Sequence, residues 1–474
     1  MTYNPDLVDI ISKLKSFAEL PKTVSDYRVG ADDFTRHRKL SFSDYAYLGI
    51  SSLKNSLSVE LHNLLGLNSL PVVSKSAYSQ ARYKIEADFY QAWNTLLISL
   101  LYGRADSGVK KWKGYFLDAI DGSKMTLPQT TALKEAFGVQ VGGSATCPTE
   151  TVQGSLLCRV DVLNQYIQDV AVFALAIGEL SKCKEWLWKL RSSAITLFDR
   201  GFSSAAHFAF MVKMGKPFVC RLKVGFNKQV KDFVASQEVD SVLHFVVGKT
   251  EKIPLKDLTP EQIADTSQHD AYYATVQRGE TVAVRVVKIL LPTGEIEVLA
   301  TSLYDTQQFT REDLKELYHF RWGIETIYDS LKNQMLLMCF SGIKAEAIYQ
   351  DVYATVFVHN LRQMLVGQAQ ILVDQKQKEK EENSKKKESE ETKKKPRKEP
   401  HKQKINQNVA TGVLKNTVMS LFLTKEPDQI IHDLIQYFAK NTTPIILHKK
   451  TPQRKPSLAK RRNLVVQPNY RRAM

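Results

Sequence analysis

No apolar run in the 474-residue sequence approaches the roughly 18–20 residues that a membrane-spanning helix needs; the most apolar early stretch, around Leu96 to Leu101, is far too short. The N-terminus, Met1-Thr2-Tyr3-Asn4-Pro5, lacks the basic-then-apolar order of a secretory signal. Cysteine is scarce. The five residues Cys147, Cys158, Cys183, Cys220 and Cys339 are odd in number, and no two have the CxxC spacing. That excludes a disulfide framework or a zinc knuckle as an organising element and fits a reducing cytoplasm. Acid is also in deficit, with 50 Asp and Glu against 66 Lys and Arg, a net charge of +16. Such a field favours a polyanionic partner. A phosphate-binding loop is missing too: Gly248-Lys249-Thr250 has the right ending, but position 243 is Leu where that motif needs Gly.

What is present sorts into texturally distinct stretches. Residues 1–110 read as helical, with apolar residues at helical spacing over Leu53–Leu67 and Ser79–Leu101. Within them, Ser74 or Ser76 suits a helix start, and Arg82 and Lys84 stand where they could meet phosphate or simply form a solvated basic face. From 111 the pattern changes. Tyr115–Ile120 predicts a strand ending at Asp121-Gly122-Ser123. Ser155–Leu163 and Tyr166–Phe173 predict two more about a turn at Asn164-Gln165. A helix over about Leu175–Leu190, a strand over Ser193–Phe198 ending at Asp199-Arg200-Gly201, a helix over Ala205–Met214 and a strand over Phe218–Leu222 follow. This β-β-β-α-β-α-β order predicts an α/β fold built on a mixed sheet.

Residues 225–303 alternate as in Ala283–Ile289, with a hairpin turn at Pro292-Thr293-Gly294-Glu295, and read as a β-rich insertion. Residues 304–370 return to helix, beginning near Thr310. Residues 371–405 form a linker dominated by Lys and Glu, a lone charged helix or a disordered tract. Residues 406–474 hold further helix, about Val409–Phe438, and a basic tail suited to nonspecific polyanion contact.

Three acids suit a divalent metal. Asp121 and Asp199 each end a predicted strand, and each is followed within two residues by Gly, which permits a sharp turn. Either one alone reads as a turn former. Glu325 lies on the predicted helix after Thr310 with Tyr318, Arg321 and Lys332, at offsets of 3, 7 and 14 from Tyr318. At ~100° per residue the four fall within an arc of about 60°. A core-facing stripe would be apolar, so packing does not explain this face. Hard carboxylate oxygens from two strands and one helix suit Mg²⁺. Asp118 is the runner-up first ligand, on the opposite strand face. His319 falls off the stripe, and Cys339 reads as a small core residue.

The spacing Tyr318-x2-Arg321-x3-Glu325-x6-Lys332 resembles the signature of DDE transposases of the insertion-sequence "IS four" family. Asp121-Gly122-Ser123 with Leu127-Pro128, Asp199-Arg200-Gly201-Phe202 and Ser76–Arg82 resemble the same family, in order, over about residues 70–365. The resemblance implies an RNase H-like catalytic core with a β-rich insertion, flanked by helical N- and C-terminal regions. It implies that Asp121, Asp199 and Glu325 bind two Mg²⁺ or Mn²⁺ ions, and that Tyr318, Arg321 and Lys332 hold DNA near the cut. The implied activity is cut-and-paste transposition: binding of the insertion-sequence terminal repeats, double-strand cleavage through a hairpin intermediate, and joining to target DNA by a homodimer in the bacterial cytoplasm, associated with the nucleoid. Two other readings share these residues: a non-cutting DNA-binding regulator of transposition, and a metal-dependent nuclease. One departure is plain. Relatives use a Trp from the β insertion to hold a flipped base, and no Trp lies between Trp188 and Trp322 here; Phe226, Phe233, Phe245, Tyr272 and Tyr273 are the alternatives.

Overall fold

The computed structural model describes residues 5–51, 54–103, 108–144, 147–248, 251–254, 273–291, 293–390 and 401–446. The basic tail beyond 446 and Tyr272 lie outside these residues.

The centre of the molecule is one mixed sheet. Strand β1 (Phe116–Thr126) is followed by β2 (Val139–Ser144), β3 (Cys147–Asp161) and β4 (Tyr166–Ala174). After a helical crossover come β5 (Ala194–Phe198) and, after the helix Ala205–Lys213, β6 (Phe218–Leu222). β3 pairs antiparallel with β1 and β4, whereas β5 runs parallel to β1, and β6 to β5. The resulting order β4-β3-β1-β5-β6 is the RNase H-like arrangement expected from the resemblance. Every residue of β5 is buried, as befits a parallel strand covered on both faces.

The β-rich stretch continues this same sheet. β7 (Asp240–Val246) is followed by a separate two-stranded ribbon, β8 (Glu251–Pro254) with β9 (Tyr273–Val276), and then by the hairpin β10 (Thr281–Leu290) and β11 (Ile296–Thr301). β11 pairs with β6, and β10 with β7, so the insertion is joined to the core edge by main-chain hydrogen bonds.

Alternation along the strands divides two cores. Leu117, Ala119 and Leu197 face one, shared with the N-terminal helices and the long helix Ala345–Glu390. Ile120 and Phe198 face the other, under the helices Glu179–Lys184, Ala205–Lys213 and Lys228–Ala235. Among the described residues, six N-terminal helices lie between Pro5 and Tyr102. Their starts obey local chemistry: Pro21 opens its helix, Ser41 and Asp44 form a reciprocal capping box, and Ser74 caps Lys75–Arg82. Asn360, in the long helix, accepts from the Ile167 N–H at 2.9 Å and donates to its carbonyl at 2.8 Å, which satisfies β4 beside its register shift. Beyond the buried Val373 the long helix continues through the charged stretch as far as Glu390. The C-terminal helices are Gln407–Leu423 and Asp428–Lys440. Among the described residues no helix is long and apolar enough to cross a membrane.

Three local features differ from expectation. β1 runs on through Asp121 to Thr126, because Gly122 to Thr126 continue their pairing with β3. The helix expected over 175–190 is a short helix, Glu179–Lys184, and a 3-10 turn, Leu187–Lys189, tightened by bonds such as Lys189 N–H to the Trp186 carbonyl. The helix after Thr310 is not uniformly wound: it is α over Arg311–His319, 3-10 over Phe320–Trp322, α over Gly323–Asp329 and π over Ser330–Gln334. The strand β2, with two glycines and little alternation, carries no strand pattern in its residues.

Candidate active site

Parallel pairing of β1 with β5 brings two acids together. The last register partners are Ile120 and Phe198, so Asp121 and Asp199 occupy the next position on neighbouring strands, whose usual separation is ~4.8 Å. The Asp121 carboxylate accepts the Gly122 N–H at 2.8 Å and an Arg321 N–H at 3.1 Å. Burial pushes its pKa up to about 6; Gly122 and Arg321 oppose the rise, and the charges of Asp199 and Glu179 add to it. The Asp121 carbonyl accepts the buried Tyr328 hydroxyl at 2.6 Å, which fixes the strand against the helix carrying Glu325.

Arg321 links the strands to that helix. Its guanidinium is buried and reaches Asp121 with one nitrogen and Glu325 with another, the latter at 3.0 Å. It lies over the rings of Trp322 and Tyr318, 5.0 and 5.7 Å from their centroids. Its Nε has no partner among the described residues. Glu325 is exposed, as is Trp322, at 52%. Tyr318 is only 3% exposed, and its hydroxyl meets no hydrogen-bond partner among the described residues. Burial holds the Tyr318 pKa above its ordinary value, partly offset by Arg321 and reinforced by Asp199. Lys332 turns back to β1, donating to the Ser123 hydroxyl at 2.5 Å and the Lys124 carbonyl at 2.9 Å, while burial lowers its pKa. The stripe of four polar residues therefore differs along its length: Tyr318 and Arg321 are buried, Lys332 is half-buried and Glu325 faces solvent.

Two further carboxylates lie close. Burial raises the pKa of Glu297 on β11; Arg221, at 3.3 Å, and Arg321 oppose the rise, and the Asp199 charge adds to it. Burial also raises that of Glu179; Lys124 opposes, and Asp199 again adds. Neither signalled itself by spacing. Glu179 also corrects the reading of Gly122. No sharp turn follows Asp121; instead a Cβ on Gly122 would lie 2.1 Å from the Glu179 carboxyl carbon. Glycine is needed there for close approach. Gly201, by contrast, sits in the turn after β5 with open space around it.

The donor set suits a hard divalent cation: carboxylate oxygens from within β1 and from just past the end of the adjacent β5, with a third acid one guanidinium away. Among the described residues no three acidic, His or Cys side chains converge into a formed metal cluster; Glu325 is held on Arg321.

Other expected residues are placed differently. Asp118, the alternative ligand, is fully buried and accepts from Arg159 at 3.2 Å, Gln168 at 2.7 Å and Arg191 at 3.1 Å, leaving it no capacity for a metal. Arg82 is buried and pairs with Asp351 at 3.0 Å and Gln350 at 2.9 Å, so it ties the helix Lys75–Arg82 to the long helix instead of facing phosphate. Lys84 pairs with Asp33 at 2.5 Å and keeps part of its side chain in solvent. Phe233 and Phe245 are core residues, and Phe226 packs on the same core. The described side chains thus leave Trp322 as the exposed aromatic beside the acids, a position the sequence marks only by its adjacency to Arg321. His319 is exposed, and Cys339 is half-buried where a core position was expected.

A family model described as "Transposase DDE domain" matches residues 119–361. The chain is 22% identical over 295 residues to the transposase InsG for insertion sequence element IS4 of Escherichia coli (strain K12), covering 61% of this chain and 61% of that protein, less than two thirds of its length. A solved structure, the cryo-EM structure of the piggyBac transposase synaptic complex with hairpin DNA, superposes with a TM-score of 0.40 at 10% identity, covering 94% of this chain and 88% of that one.

Proposed function

The chain belongs to the DDE transposase family, and from that premise we propose that it binds the ends of an insertion sequence as a homodimer, cuts them through a hairpin intermediate and joins them to target DNA. The observation that carries this reading is the side-by-side placement of Asp121 and Asp199, with Arg321 linking Asp121 to Glu325. Asp121, Asp199 and Glu325 hold two Mg²⁺ or Mn²⁺ ions. When bound, such ions activate the attacking oxygen and stabilise the leaving one in displacement at phosphorus. The protein's own groups do the rest. Arg321 offsets the charge of Asp121 and positions Glu325. Lys332 and the unpaired donors of Tyr318 and Arg321 supply hydrogen bonds to phosphate oxygens close to the cut. Trp322 offers a stacking face for an extruded base.

The helical region 1–110 recognises the ends, and the basic tail adds salt-dependent contact to the backbone. Dimerisation follows from the reaction, since two ends must be processed together. The test is product analysis: purified protein is incubated with end-bearing DNA, Mg²⁺ and a supercoiled target. Hairpin ends and joined products are expected. Cut DNA alone would leave the nuclease reading, and binding without cutting the regulator.

A further inference from the structure

Arg362, in the long helix Ala345–Glu390, is 1% exposed, and burial pushes its pKa down to about 10. Its guanidinium donates to the Thr411 hydroxyl at 2.6 Å, the Ser330 hydroxyl at 3.0 Å, the His359 ring at 3.3 Å and the Gln334 side-chain oxygen at 3.4 Å. All four partners are neutral. The His359 ring, whose other nitrogen donates to the Gln165 carbonyl at 3.0 Å, is held down to a pKa of about 3 by burial and then by Arg362 itself. A guanidinium buried on neutral groups alone costs more than an apolar side chain of like volume in the same place. Packing therefore does not account for Arg362, and its directed hydrogen bonds do. Two of them end on one feature. Ser330 and Gln334 bound the π turn, which is closed by the Met335 N–H on the Ser330 carbonyl at 3.0 Å and by the Ser330 hydroxyl on the Gln334 side chain at 2.9 Å. Such turns are rare and concentrate at functional sites. Lys332 stands midway along this one, and its ammonium reaches Ser123 and the Lys124 carbonyl of β1. The Thr411 bond ties the same guanidinium to the C-terminal helix Gln407–Leu423.

We propose that Arg362 is a positioning residue for the DNA-holding lysine: it pins the π turn to the C-terminal helix, so that Lys332 is delivered to β1 beyond Asp121. The inference rests on the role given to Lys332 above. It extends that role to the C-terminal helix, whose docking the site then requires.

The test compares Lys332→Ala, Arg362→Met and the double variant, as full chains, in single-turnover cleavage of DNA carrying the ends that flank the protein's own gene. Arg362→Met should fold: Ser330 and Gln334 keep their mutual bond, and the Thr411 hydroxyl keeps the Gln407 carbonyl at 2.8 Å. Its cleavage rate should nonetheless fall by about tenfold or more, toward the ~100-fold that a misplacement of ~1 Å can cost. The double variant should cleave no more slowly than Lys332→Ala. A rate lowered by the product of the two single effects, the mark of independent residues, overturns this inference alone, as does an unaltered rate in Arg362→Met. An unaltered rate in Lys332→Ala overturns the role of Lys332 itself. A second readout needs neither DNA nor cleavage: acylation of Lys332 by acetic anhydride, followed by mass spectrometry against the exposed Lys13. Arg362→Met should release Lys332 from β1 and raise its labelling; no rise overturns the inference. Should Arg362→Met fail to fold, Ser330→Ala removes one of the two bonds to the turn, and its labelling is read in the same way.

Discussion

Arg321 reaches Asp121 at 3.1 Å from 200 residues further along the chain. That contact, continued to Glu325 at 3.0 Å, ties one acid of the sheet to an acid of the helix. A buried guanidinium between two carboxylates neutralises charge that would otherwise destabilise the fold. The proposed cations take over that role when they bind.

Asp199 directly follows β5, and its side chain makes no capping hydrogen bond to the turn it opens. Asp199→Asn should lower cleavage by more than the roughly 100-fold typical of losing an outer-shell partner of a metal, with end binding within about twofold by gel shift. A comparable loss of binding would make the residue structural.

Arg82 and Lys84, two positions apart, should behave oppositely. Arg82 and Asp351 are both buried, and Arg82→Ala leaves an uncompensated charge, a loss of about 3–5 kcal/mol in urea unfolding. Lys84 is part-exposed, and Lys84→Ala should cost no more than about 1 kcal/mol. Equal losses would contradict the burial described here.

The same pair sets an acid limit. Burial by itself would raise the Asp351 pKa, but Arg82, Lys54 and the bonds from Ser341 outweigh it and hold it below the ordinary 3.8. Between the folded and ordinary values the unfolded chain binds more protons, so the stabilisation is complete above 3.8 and is lost as pH falls through the lower folded value. Asp351→Asn should therefore narrow the difference in stability between pH 5 and pH 2.5, measured by thermal unfolding; an unaltered difference would contradict the ion pair.

Lys332 bonds Ser123 and Lys124 at the end of the acid cluster. Lys332→Ala should reduce cleavage of bound DNA more than it lowers the melting temperature, which should move by only a few degrees for ~1 kcal/mol. An unchanged cleavage rate removes its assigned role.

Much of this was legible in the residues. The mostly apolar run of Ala194–Phe198 specified a buried strand, and the alternation of Thr281–Leu290 an extended one. Tyr318, Arg321, Glu325 and Lys332 announced a polar face by spacing alone. Pattern could not reveal what depends on partners distant in sequence. Gly122 reads as a turn residue until Glu179 is seen over it. Arg82 reads as a surface cation until the long helix brings Asp351 to it. The 3-10 and π segments on either side of Glu325 leave no periodic trace in so few residues.

The most direct test of the account is a cleavage assay with purified protein on DNA carrying the ends that flank its own gene, run with Mg²⁺, with EDTA, and with Glu325→Gln. Cuts at the ends that require Mg²⁺ and vanish in Glu325→Gln are predicted. Cuts that persist in EDTA, or in Glu325→Gln, would contradict a metal site built from Asp121, Asp199 and Glu325.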